Sequence, residues 1–205
     1  MYASVREYTL RAGKLDETVE KIRTEFVPLL DKAPGFLGYT VVHTGGDQIV
    51  TASVFETQSG AEGSVKAAAD WVKANLAASV TAPPRVTTGE MPVRHVKAGG
   101  QARYGVLRRF EFKAGNLEKM TGLIRDGLVP LLAEMPGFAS YGTLIEPSRD
   151  HGMSLAAYAD RALAEAAFAK ASNWIEANMG EFAPKLVDTK MGEIKVRHMA
   201  LARSH

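Results

Sequence analysis

The 205-residue chain is written twice. Displaced by 102 positions, Tyr2, Arg6, Ala12, Gly13 and Leu15 fall on Tyr104, Arg108, Ala114, Gly115 and Leu117. Ile22-Arg23, Val27-Pro28-Leu29-Leu30, Pro34-Gly35-Phe36 and Tyr39 fall on Ile124-Arg125, Val129-Pro130-Leu131-Leu132, Pro136-Gly137-Phe138 and Tyr141. One residue is gained near Asp150, and at a displacement of 103 the match resumes. Trp71, Asn75, Gly89-Glu90 and Val93-Arg94-His95 then meet Trp174, Asn178, Gly192-Glu193 and Val196-Arg197-His198. A repeat of this length is a whole domain rather than a solenoid unit, so the fold sought is one small domain built twice.

Each copy reads as strand, helix, strand, strand, helix, strand. Tyr2–Leu10 and Tyr104–Phe112 are rich in aromatic and β-branched residues and run on to an Ala-Gly break. Leu15, Val19, Ile22, Phe26, Leu29 and Ala33 recur at three- and four-residue steps, the stripe of an amphipathic helix. The second copy supplies Leu117, Ile124, Leu128, Leu131 and Met135. Pro28 and Pro130 sit late in these helices, where a missing N–H predicts a kink or a tighter turn. Strands follow at Phe36–His43 and Ile49–Phe55, and at Phe138–Glu146 and Met153–Tyr158. Second helices span about Ala61–Leu76 and Leu163–Met179, and closing strands Glu90–Val96 and Glu193–Met199. The domains are expected at residues 1–97 and 104–203, with a pliable Gly-Gly linker at 98–103.

A βαββαβ unit is the ferredoxin-like arrangement, with both helices on one face of a four-stranded antiparallel sheet. An apolar sheet face left bare needs a cover. The expected fold is therefore α+β: two ferredoxin-like repeats whose antiparallel sheets pack face to face as an intramolecular dimeric α/β barrel. A further homodimer is left open.

Composition narrows the partners. The first 100 residues carry 11 basic and 11 acidic side chains, the remainder 14 and 12, so no basic stripe for nucleic acid is expected. There is no cysteine, which removes disulfides, thiolate metal sites and a thiol nucleophile. The first residues carry charge early and have no long apolar run, so neither a signal peptide nor a membrane span is expected, and the location expected is cytoplasmic.

The Gly-ended first strand, the Val-Pro-Leu-Leu and Pro-Gly-Phe elements, and Trp71-Val72-Lys73-Ala74-Asn75 leading to Gly89-Glu90-Met91-Pro92-Val93 resemble the antibiotic biosynthesis monooxygenase family. The resemblance extends over nearly the whole chain, once per half. It implies ferredoxin-like domains paired as a dimeric α/β barrel. The wider superfamily holds cofactor-free quinone-forming monooxygenases, haem-degrading enzymes and members with no assigned reaction. Haem-degrading relatives use an Asn on strand one; neither Tyr2–Leu10 nor Tyr104–Phe112 has one, which argues against that chemistry.

In such relatives a Trp of the second helix borders the cavity, so the resemblance makes Trp71 and Trp174 candidates to stack on a flat aromatic; the alternative is core packing. Asn75 and Asn178, one turn later, either hold a substrate oxygen or cap the helix. His95 and His198 share the apolar parity of the closing strand and are expected to point inward, as catalytic bases for a phenol or as structural histidines. Arg6 and Arg108, on the central strand, need an anion: Glu90 and Glu193 as partners, or a bound phenolate or carboxylate. Tyr8, Tyr39 and Tyr141 are further candidate donors. His43, His151 and His205 are unmatched between halves and lack metal spacing. Phe110 stands in place of Tyr8, Arg109 of Glu7 and Ile145 of His43, so the two cavities are not equivalent.

No dinucleotide fingerprint or metal-ligand cluster is visible, and no cofactor is expected. The first functional reading is a cofactor-independent monooxygenase oxidising an electron-rich phenol or quinol. The second is a non-catalytic barrel that binds a small hydrophobic or aromatic ligand, as a stress-response protein would.

Overall fold

A computed structural model describes residues 1–200, and the chain divides into two compact units. The first is Met1–Gly89 with the segment that begins at Ile194; the second is Glu90–Glu193.

In the first unit β1 (Tyr2–Thr9) leads into helix α1 (residues 15–31), then β2 (Phe36–Gly45), β3 (Gln48–Phe55), helix α2 (Gln58–Asn75) and β4 (Arg85–Glu90). The strand order is β4-β1-β3-β2, antiparallel where β1 and β2 meet β3, with Arg6 opposite Thr51. The second unit opens with β5 (Arg94–Val96) and repeats the plan. It continues through β6 (Tyr104–Glu111), helix α3 (residues 117–133), β7 (Phe138–Ile145), β8 (His151–Tyr158), helix α4 (Arg161–Met179) and the first part of β9 (Lys185–Met199). Its order is β9-β6-β8-β7-β5. Both are the ferredoxin-like topology read from the sequence, with β1 and β6 as inner strands. Among the described residues no helix is long and apolar enough to cross a membrane.

The closing strands differ from expectation in an instructive way. They start earlier, at Arg85 and Lys185, and each belongs to both units. Residues before Gly89 lie in the first unit, and Arg94–Val96 pairs with β7 in the second. Reciprocally, β9 pairs with β6 up to Glu193, and from Ile194 onward it lies in the first unit, where Met199 reaches Gly38. Pro92 has no N–H to give to a ladder, so the first closing strand breaks into β4 and β5. Lys195 stands at the matching position, and β9 runs unbroken for 15 residues. The boundary expected at 98–103 falls inside the second unit. The Lys97 N–H bonds to the Ala139 carbonyl at 2.9 Å, and Gly100 packs on the Ala139 backbone, so this segment is a pinned turn.

The helices carry a second correction. α1 is α-helical over Leu15–Lys21, π-helical over Ile22–Phe26 and α-helical again over Val27–Asp31; α3 is the same over Leu117–Leu123, Ile124–Leu128 and Val129–Ala133. The turn before the proline widens rather than tightens. The Val27 N–H reaches back to the Ile22 carbonyl and that of Val129 to Ile124, which shifts the ladder by one residue just ahead of Pro28 and Pro130. The second helices start at side-chain caps: Thr57 accepts from the Gly60 N–H at 3.1 Å and Asp160 from that of Leu163 at 2.8 Å. Ile22, Phe26 and Leu30 of α1 pack with Ala61 and Ala68 of α2 against Tyr8, Tyr39, Val41 and Phe55. Ile124, Leu128 and Leu132 pack with Ala164 and Ala171 against Val106, Phe138, Tyr141 and Tyr158. Each fully buried large side chain there contributes about 1.5–3 kcal/mol.

Candidate functional site

Each unit buries an arginine between helices and sheet with no carboxylate beside it among the described residues. Arg6 is 2% exposed. It donates from Nη1 to Ser53 Oγ at 3.2 Å and from Nη2 to Ser64 Oγ at 2.9 Å, and its Nε has no partner. The expected pairing with Glu90 is not formed. Burial pulls the guanidinium below its ordinary pKa, yet arginine stays charged in proteins. Its aromatic neighbours do not neutralise it: burial raises both Tyr8 and Tyr39, so each is a neutral phenol. A buried ion without a counter-charge costs several kcal/mol in desolvation, which two serine hydroxyls repay only in part. Arg6, Tyr8, Tyr39, Thr18 and Trp71 line a small cavity, and Thr18 Oγ1 is a second buried atom without a partner. The cavity leaves about 20 Å³ for the centre of a water-sized guest, room for about one water.

Arg108 in the second unit is 3% exposed and is held differently. Its Nε donates to Ser154 Oγ at 3.3 Å, and its guanidinium carbon lies 5.3 Å from the Phe168 ring and 5.8 Å from that of Phe110. Two ring faces take the place of hydroxyls. The expected partner Glu193 does not bond to it. Tyr141 is raised by burial, and burial pushes Tyr158 up to about 12. Arg108 and Tyr141 line a cavity of about 30 Å³ by the same measure, with Thr143 Oγ1 unpartnered in its wall. The π-helical turns wall both cavities, through Ile22 and Phe26 in one and Ile124 and Leu128 in the other.

Residues 1–69 match the family described as antibiotic biosynthesis monooxygenase. No curated protein sequence matches the chain. Among solved structures, a candidate monooxygenase of Fusobacterium nucleatum superposes with a TM-score of 0.74 at 10% identity, over 97% of this chain and 94% of that one. A candidate monooxygenase of Lactobacillus acidophilus gives 0.72 at 15% identity, over 97% and 95%. An anthrone oxidase-like protein gives 0.59 at 14% identity, over 100% and 96%. At such identities the likeness is one of fold, and it runs through both repeats. The chain therefore has the expected class, tandem ferredoxin-like units of the dimeric α/β-barrel type.

Around the cavity of the first unit the structure gathers four of the candidates, Arg6, Tyr8, Tyr39 and Trp71, and around that of the second Arg108 and Tyr141. Trp71 sits 5.0 Å from the Phe26 ring. Trp174 does not line its cavity, because Gly127 has no side chain and the indole lies against that bare backbone. Asn75 and Asn178 are spent on their own helices, donating to the Trp71 and Trp174 carbonyls at 2.9 and 2.8 Å.

The inward histidines are corrected. His95 is exposed beside Phe138, and half-buried His198 bonds to Asp31 at 2.9 Å while stacking on Phe36. Met91, Val93 and Val196 keep the buried parity, but two residues further on His95 is exposed and His198 only half-buried. His43 bonds to the Gly46 carbonyl and His151 to Asp150; His205 lies outside the described residues. The sequence reading missed Thr18, Ser53, Ser64 and Phe168. Ser64 against Ala167 and Val65 against Phe168 were differences visible in the repeat alignment.

Proposed function

We propose that the chain is a cofactor-independent monooxygenase of an electron-rich phenol or quinol, working in its N-terminal repeat. One observation carries the reading: Arg6 is buried, charged and without a counter-ion, beside Trp71 and two neutral tyrosines. A phenolate supplies the missing charge, and the same charge favours phenolate over phenol. An electron-rich phenolate reduces dioxygen directly. One oxygen atom enters the ring as the quinone carbonyl, and the other leaves as water with the two hydrogens the phenol loses. Neither histidine serves as base, so the chain's part is positioning and charge.

Ligand holding without turnover is the second reading, favoured by the absence of any histidine or carboxylate from the walls of either cavity. An oxygen electrode separates the two. Uptake with a dihydroxynaphthalene or anthrone-type substrate, lost in Arg6→Gln and kept in Arg108→Gln, supports the enzyme. Binding without uptake across a phenol panel, from folded protein, selects the second reading.

A further inference from the structure

We infer that the N-terminal repeat alone holds its ligand in a groove between α1 and α2, and that the ligand is a compact aromatic body carrying one oxyanion, a phenolate or a carboxylate. The inference rests on the aromatic reading above and adds where the rings lie. The cavity beside Arg6 holds about one water and cannot take them. The groove leaves about 390 Å³ by the same measure, within the range of small-molecule sites. Its walls include Phe26, Leu29, Pro34, Gly60, Gly63 and Ser64. Leu29 is 53% exposed at the rim, an apolar surface that a ring would cover. Phe26 lines both the groove and the Arg6 cavity.

Ser64 gives the groove its chemistry. Its Oγ accepts from Arg6 Nη2 at 2.9 Å and its hydroxyl donates to the Ala61 carbonyl at 2.7 Å. A hydroxyl with a guanidinium behind it is a stronger donor than a free one. Turned from Ala61 toward the groove, it brings an oxyanion within one hydroxyl of an arginine that has no counter-charge. The second repeat lacks the two glycines and the serine. Gly60, Gly63 and Ser64 correspond to Leu163, Ala166 and Ala167. Leu163 packs over Gly137, and the Phe168 ring covers Arg108.

The test is titration calorimetry of the full chain with 1-naphthoate and with the neutral 1-naphthalenemethanol, without oxygen turnover as a readout. A Cβ on Gly63 meets nothing within 4 Å, and leucine suits a helix better than glycine, so Gly63→Leu fills the groove while circular dichroism reports the fold. Expected are one site per chain, naphthoate at least about tenfold tighter than the alcohol, and loss of binding in Gly63→Leu. Ser64→Ala should remove the preference for the acid, and Ala166→Leu in the second repeat should change nothing. Equal affinity for acid and alcohol, wild-type binding by Gly63→Leu, or two equivalent sites would overturn the inference. Naphthoate binding that obeys these variants, in a protein that consumes no oxygen with any phenol, would leave the groove standing and remove the monooxygenase.

Discussion

The two repeats solve one problem, a buried arginine on an inner strand, with different materials. Arg6 is surrounded by hydroxyls, from Ser53, Ser64, Tyr8 and Tyr39, and keeps an unpartnered nitrogen. Arg108 has one serine bond and two aromatic faces. Hydroxyls can rotate to serve an incoming anion, whereas ring faces satisfy the cation where it stands. The comparison teaches that a duplicated fold can keep a buried charge in both copies while leaving only one of them in want of a ligand.

The strongest probe of this contrast is the residue that lines both cavity and groove. Phe26→Ala removes a ring packed on Tyr39 and Trp71 and should cost about 3–5 kcal/mol, measured by urea unfolding. Leu128→Ala, its counterpart, should cost about 2–5 kcal/mol without opening a path to any groove. If both variants admit naphthoate equally, the asymmetry is lost. Next in size is Gly127→Ala. The new Cβ would run into Trp174 Cζ2, and overpacking of that kind costs about 1–3 kcal/mol with a shift in Trp174 emission. The matching Glu25→Ala, on an exposed position, should stay within about 0.5 kcal/mol.

A change of opposite sign is expected at the arginines. Arg6→Met removes an uncompensated buried charge and should stabilise the ligand-free protein by about 1 kcal/mol or more. Arg108→Met gives up two cation–π contacts and should gain less. Equal gains in thermal unfolding would mean that the two cations are equally content.

The smallest effect belongs to the residue gained near Asp150. The Asp150 carboxylate, 2.7 Å from His151 Nδ1, holds this histidine above its ordinary pKa. Because the folded value is raised, the pair's stabilisation is complete below the ordinary histidine pKa and fades as pH rises through the raised one. An NMR titration should show the elevated midpoint, and Asp150→Asn should return it. A midpoint unmoved by Asp150→Asn would show that the pair does not form in solution.

The repeat, the order of elements and the inner position of both arginines were legible because hydrophobic period and turn residues encode them locally. Side-chain destinations were less so. Parity placed Val93 and Val196 correctly and failed at His95 and His198, since period alone does not say which side chains will be covered near a strand's end. Pro28 announced an irregularity without its sense: the chain lengthened the hydrogen-bond step instead of breaking the helix. Trp71 and Trp174 align in sequence, yet Glu25 and Gly127 on the facing helices send the two indoles to different places. The arginines' lack of a counter-ion was invisible, because it depends on which carboxylates do not arrive.

The exchanged closing strands have a consequence for how this molecule can be taken apart. A cut in the turn at Gly99-Gly100 yields a first fragment that lacks the segment from Ile194, which its own unit requires, while carrying Arg94–Val96, which β7 requires. Neither fragment is a complete structural unit, and each holds a strand that the other must recover. The turn thus acts as a tether that keeps the exchange intramolecular at a fixed effective concentration. The fused chain is assured of its partner strand at any dilution, where two separate polypeptides would have to find each other.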